Sequence, residues 1–191
     1  MIKPFIADKT FKGQDFSKNR LQTGEYENCI FSNCNFADGY LDNQNFTECE
    51  FIECNLSNTN VVETVFNDVL FTQCKILGVK FNQCNKFIMS FSFSDCILNF
   101  SSFYTMKLPK FRFDHCKLID VDFTEADLTQ AIFQSCDLGK AVFNNTILEK
   151  ADFSTAYNYK IDPEQNKIKK ARFSKEGLEG LLFKYDIQID D

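Results

Sequence analysis

The chain repeats itself every five residues, and that period excludes most of what 191 residues could otherwise fold into. Counting in fives meets Phe11, Phe16, Leu21, Tyr26, Phe31, Phe36, Leu41, Phe46, Phe51, Leu56, Val61, Phe66, Phe71, Ile76, Phe81, Lys86 and Phe91, of which only Lys86 is not apolar. A second run, displaced by two residues, alternates Phe and Leu from Phe93 and Leu98 to Leu148 and Phe153 without exception. Two places before these centres lies a second slot that holds all nine cysteines, Cys29, Cys34, Cys49, Cys54, Cys74, Cys84, Cys96, Cys116 and Cys136. Elsewhere this slot takes mostly small or apolar residues such as Thr59, Val69, Ser101 and Ala126. The 59 slots from Lys9 to Thr155 carry two charges, Lys9 and Lys86, where an even spread would put about thirteen. Two side chains in every five therefore point into a core.

A helix repeats near 3.6 residues and a strand every 2, so neither fits. A short extended step followed by a corner does, and corners at every fifth residue build a solenoid. Cysteines recur at a spacing of twenty in Cys34, Cys54 and Cys74 and again in Cys96, Cys116 and Cys136. Twenty-residue coils stack Phe on Phe and Leu on Leu, whereas fifteen-residue coils would stack Phe on Leu, so the spacing predicts four sides.

The pentapeptides CDLGK, ADFST, ADLTQ, CNFAD and CNLSN resemble the motif of the pentapeptide-repeat family: a small residue, a polar one, Leu or Phe, and two variable positions. The resemblance covers Phe11 to Phe153 and implies an all-β fold, a right-handed quadrilateral β-helix. Its thirty centres make about 7.5 coils and, at ~4.8 Å per coil, a rod of roughly 36 Å. Residues 1–10 are expected to form an N-terminal cap, with Ile2, Phe5 and Ile6 covering the first coil. Residues 11–155 are expected to form the β-helix, with the phase shift at 85–92. There Phe87 or Ile88 is expected to turn inward in place of Lys86, and both a packing irregularity and a bend fit. Residues 156–191 read as a connecting loop, turned at Asp162-Pro163, and a short C-terminal helix capped by Ser174. Phe173, Leu178, Leu181, Leu182 and Tyr185 supply its apolar face, Gly177 and Gly180 weaken it, and Ile187 and Ile189 can extend beyond it. Resemblance to the Qnr-type, gyrase-interacting members implies a homodimer through this tail. A cap on the chain's own last coil fits the same residues.

Nothing in the chain assembles catalytic chemistry. The cysteines fall on successive faces, so they do not converge as metal ligands, and they read as small buried hydrophobes. His115, the one histidine, falls on the outward side, and no P-loop or HExxH pattern is present. No enzyme activity, metal or cofactor is expected. No apolar run reaches the ~18 residues of a membrane span, and the first ten residues lack the regions of a signal peptide. The expectation is therefore a cytoplasmic protein with no membrane partner.

Charge is the most informative functional feature. The net charge of −6 argues against a broad phosphate-tracking surface, so no direct nucleic-acid partner is expected. Between Leu21 and Cys74 there are nine acids and no Lys or Arg. Over that ~13 Å, duplex DNA would carry roughly seven or eight charges. Stacking by twenty places Glu48 over Asp68 on the face shared with Glu25 and Glu27. The Qnr-like members resemble duplex DNA in shape and charge and bind type II topoisomerases, protecting them from quinolones or peptide toxins. The resemblance thus implies an acidic DNA mimic, with Glu25, Glu27, Glu48 and Asp68 as its face and DNA gyrase or topoisomerase IV as its partner. Those members carry projecting loops, and this chain has only the two-residue shift. A rigid scaffold for another protein is the alternative.

Overall fold

The computed structural model describes residues 3–87 and 89–188 as a parallel β-solenoid of about eight turns with one short C-terminal helix. It divides into two compact units, residues 1–101 and 102–191. The first holds β1 (Phe5–Ala7), β2 (Thr10–Lys12), β3 (Glu25–Glu27), β4 (Ile30–Ser32), β5 (Asn45–Thr47), β6 (Glu50–Ile52), β7 (Val65–Thr72) and β8 (Met89–Ser94). The second holds β9 (Arg112–Asp114), β10 (Ile132–Gln134), β11 (Asp152–Phe153), β12 (Arg172–Phe173) and α1 (Glu179–Leu182).

Within each unit the strands pair in parallel with partners one coil away. Phe31 lies opposite Phe11 and Phe51, and Phe133 opposite Phe113, each at a spacing of twenty. Four corners turn one coil: Asn28, Asn33, Asp38 and Asn43 have φ of 50°, 55°, 55° and 57°. The left-handed region costs an ordinary residue roughly 1–2 kcal/mol, least for Asn and Asp. Among the described residues, twelve of the 26 non-glycine residues at positive φ are Asn or Asp, so the corner chemistry follows the backbone.

The core is a set of aromatic columns. In the first unit Phe11, Phe31, Phe51, Phe71 and Phe93 stack at centroid spacings of 4.8, 4.7, 5.1 and 5.2 Å. In the second, Phe113, Phe133, Phe153 and Phe173 stack at 5.1, 4.7 and 5.3 Å. All nine cysteines are buried, and none is in a disulfide among the described residues. Their slot has a polar task as well as an apolar one. The thiols of Cys54 and Cys74 donate to the carbonyls of Phe31 and Phe51, both at 3.2 Å. The hydroxyls of Thr59, Thr64 and Ser101 make the same bond to Phe36, Leu41 and Ile76 at 2.8–2.9 Å. Cys, Ser and Thr recur there because each is small enough for the core and carries a donor that satisfies a buried carbonyl. Burial pushes the Cys49 thiol up to about 11, which leaves little reactive thiolate.

The phase shift is a coil of 22 residues, since Phe71 faces Phe93. Asn67 faces Ser90 and Val69 faces Phe91, so Asp68 has no opposite residue and β8 runs straight past that corner. Phe91 fills the space beside Phe66, Phe71 and Phe81. Phe87, one of the two residues expected to turn inward, therefore has no slot and stands 96% exposed. Ile88 lies outside the described residues. Phe87 borders a cavity of about 530 Å³ lined by Val62, Asn82, Cys84 and Lys86 among others.

At the N-terminus Ile6 lies opposite Tyr26 and is half-buried. Phe5, expected to join it in covering the first coil, is 63% exposed, because adjacent residues of a strand face opposite ways. Ile2 lies outside the described residues.

Beyond residue 155, where the sequence predicts a connecting loop, the ladder continues. Tyr157 bridges Asp137, Lys167 bridges Ile147, and Arg172 pairs with Asp152. Asn166 accepts from the Thr146 amide and donates to the Phe143 carbonyl. Tyr159 and Ile161 are buried.

Candidate protein-interaction surface

The corner columns of the first unit place Asp8, Asn28, Glu48 and Asp68 one above another, at φ of 54°, 50°, 53° and 56°. The Asp8, Asn28 and Glu48 amides donate in turn to Glu27, Thr47 and Asn67 one coil on. Glu25 and Glu27 flank buried Tyr26 on β3, directly before this corner. Glu25, Glu27, Glu48 and Asp68 are all exposed, and none forms an ion pair among the described residues. The fold thus brings the four predicted acids around one corner, with Glu48 and Asp68 on adjacent rungs, where like charges disfavour pairing. The other acids of the segment are spread. Asp38, Glu53 and Glu63 turn different corners, and Asp42 is held by Arg20 at 2.7 Å.

The tail residues predicted as one apolar face are separated. Phe173 lies in β12 and stacks on Phe153. Leu181 and Leu182 are half-buried, while Leu178 and Tyr185 are 45% and 54% exposed. The helix itself spans only Glu179–Leu182, followed by a 3-10 turn at Phe183–Tyr185. Ser174 caps the preceding turn instead of the helix, its hydroxyl accepting from the Gly177 amide at 3.0 Å. Ile189 lies outside the described residues.

Two features tie the tail to its own last coil. Ile161 donates its amide to the Gly180 carbonyl at 2.9 Å. Lys184 reaches Asp162 at 2.8 Å and Glu164 at 2.7 Å, and its hydrogen bonds hold both carboxyls below their ordinary range. Gly177 and Gly180 lie against Tyr159 so closely that a Cβ on either would collide with its hydroxyl or its carbonyl oxygen. Beside this contact is a cavity of about 610 Å³ bordered by Tyr157, Lys160, Leu182, Phe183 and Ile187.

His115 is exposed, its Nδ1 3.0 Å from the carboxylate of Asp114. Among the described residues no group of three or more His, Cys, Asp or Glu could hold a metal ion, and no helix is long and apolar enough to cross a membrane.

This stack of five-residue steps defines the class. A pentapeptide repeat region matches residues 20–103, and an eight-copy pentapeptide-repeat model matches residues 96–134 and 112–145. The chain belongs to the pentapeptide-repeat family, whose solenoid is a structural and interaction fold. Among solved structures, two trypsin-treated variants of QnrB1, a plasmid-mediated fluoroquinolone resistance protein, match at 15% identity. Their TM-scores are 0.58 and 0.59, and the matches cover 97% of this chain and 100% and 99% of theirs. HetL, involved in heterocyst differentiation regulation in the cyanobacterium Nostoc, matches at 12% identity and a TM-score of 0.64, over 91% of this chain and 88% of its own. No curated protein sequence matches. The signal for corner conformation, missed in the sequence, was the recurrence of Asn and Asp two places after many centres, as at Asn28, Asn33, Asp38, Asn43 and Asn58.

Proposed function

We propose that the chain is a non-catalytic, cytoplasmic protein-interaction module that imitates the DNA backbone. It presents Glu25, Glu27, Glu48 and Asp68 to the basic DNA-binding surface of a type II topoisomerase, DNA gyrase or topoisomerase IV. The observation that carries this reading is the convergence of four exposed, unpaired carboxylates on one corner, within a segment that has no Lys or Arg. The fold likeness to QnrB1 supports it, and shielding the enzyme from quinolones or toxins would follow from occupying its DNA site. The test is gyrase supercoiling at rising protein concentration, with and without a quinolone, against a variant carrying E25Q, E27Q, E48Q and D68N. Inhibition or protection at micromolar protein, weakened at least tenfold in the variant and by added salt, is the expected result. No effect at tens of micromolar on cognate and heterologous enzymes would overturn it.

A rigid scaffold for another protein is the second reading, favoured by Phe87, which stands exposed beside Val62 at the bulge. A partner whose binding ignores the four acids but fails with Phe87→Ser would establish that reading instead. In either case the molecule works as a homodimer through the tail, where Leu178, Phe183, Tyr185 and Ile187 are each at least 41% exposed. Light scattering at tens of micromolar is expected to give twice the chain mass and to give the single mass for Leu178→Asp with Phe183→Asp. A wild-type monomer would refute the dimer.

A further inference from the structure

The second unit carries the opposite charge on one corner. Lys110, Gln130, Lys150 and Lys170 turn the same corner on four successive coils, at φ of 61°, 60°, 59° and 60°. The amides of Lys110, Gln130 and Lys150 donate in turn to Thr129, Glu149 and Lys169 one coil on. Lys107 and Lys167 end the bridged column on one side of this corner, and Arg112 and Arg172 end the strand column on the other. Within residues 107–112, 127–132, 147–152 and 167–172 there are eight bases and three acids. This is a local excess of five positive charges in a chain whose net charge is −6. All eight bases are exposed. Arg112 and Arg172 hold Asp114 and Asp152, whereas the six lysines form no ion pair among the described residues.

We propose that this corner binds the phosphate backbone of duplex DNA. The charges are not spread evenly along it. Lys107, Lys110 and Arg112 gather on the first of the four coils and Lys167, Lys169, Lys170 and Arg172 on the last. The two between contribute Lys150 alone. At ~4.8 Å per coil the two clusters are about 14 Å apart, close to the ≈ 12 Å width of the major groove. A narrow ridge with cations at both ends can seat across a groove and meet the phosphates of both rims, each lysine acting as a point charge. An anionic bilayer is a plane and would engage a whole face, not one corner. A flexible acidic peptide has no fixed separation between two rows of charge to match. This site lies on a different unit from the four acids and carries the other sign, so it stands or falls independently of the topoisomerase reading.

The experiment is fluorescence anisotropy of a labelled duplex of 20 base pairs and arbitrary sequence, titrated with the full chain between 50 and 200 mM salt. Six lysine contacts would give log affinity against log salt a slope of about −5, from ~0.9 per phosphate. Replacing Lys110, Lys150 and Lys170 with Gln, the residue already present in that column at Gln130, should weaken binding at least tenfold at 50 mM salt. It should also flatten the slope by about 3. Lys167→Gln with Lys169→Gln tests the far cluster separately and should flatten it by about 2. No anisotropy change with 100 μM protein at 50 mM salt would overturn the proposal. So would undiminished binding by both variants, displacement of the duplex by polyglutamate at equal charge, or preference for phosphatidylglycerol vesicles over DNA.

Discussion

Replacing Phe51 with Ala should cost about 3–5 kcal/mol of unfolding free energy, the largest loss expected from any single side chain in the core. Phe51 is fully buried. Its ring lies 4.7 Å from Phe31 and 5.1 Å from Phe71, nearly parallel to both, and meets Phe46 edge-on at 5.3 Å. Removing it opens a cavity with coils above and below, neither of which can collapse without breaking the register of its own strands. Phe11 stands at the end of the same column, is only half-buried, and has one stacked neighbour. Phe11→Ala should therefore cost only about 1–2 kcal/mol. Urea unfolding of both variants, with hydrogen exchange to locate the opened coils, checks the comparison. Equal losses would show that the column does not act as a continuous stack.

Gly180→Ala should detach the tail while leaving the coils before it intact. The new Cβ would collide with the Tyr159 carbonyl oxygen and sit 2.9 Å from the ring. The backbone oxygen of buried Tyr159 cannot move aside as a side-chain tip could. Overpacking of this kind costs about 1–3 kcal/mol, and α1, four residues long, is too short to persist without its contact. The expected result is rapid proteolysis after Lys175 or Lys184 and an otherwise resistant fragment. A tail as protected as the wild type's would refute the close-packing account of Gly177 and Gly180.

The parts of this molecule that are legible in the sequence are those that depend only on which way a side chain points. Phe and Leu centres, cysteine slots, the twenty-residue coil and the meeting of Glu48 with Asp68 all follow from inward and outward periodicity. Periodicity is silent on backbone handedness, so the left-handed corners at Asn28 or Lys150 went unread. It is equally silent on hydrogen bonding, so the slot of Cys54 and Thr59 looked merely small when it also supplies a donor. The last coil escaped for another reason. Asn158 and Pro163 stand where centres are due, and the core is filled by Tyr159 and Ile161, one residue late and two early. Of the two residues expected to turn inward at the phase shift, Phe87 stays outside because Phe91 fills the space beside Phe66, Phe71 and Phe81. Gly177 and Gly180 read as weak points in a helix, yet the fold uses their lack of a side chain to seat the tail on Tyr159.

The corner residues have a further consequence. Each pentapeptide commits two side chains to the core and leaves its corner residue facing water, under a backbone requirement that Asp, Glu, Lys, Gln and Asn all meet here. Outside the 22-residue coil, the neighbours of any surface position are found by adding or subtracting five and twenty. Charge can therefore be rewritten one address at a time without disturbing what lies beneath. The acidic corner of one unit and the basic corner of the other are two messages written on the same grid, and exchanging single pentapeptides should transplant either.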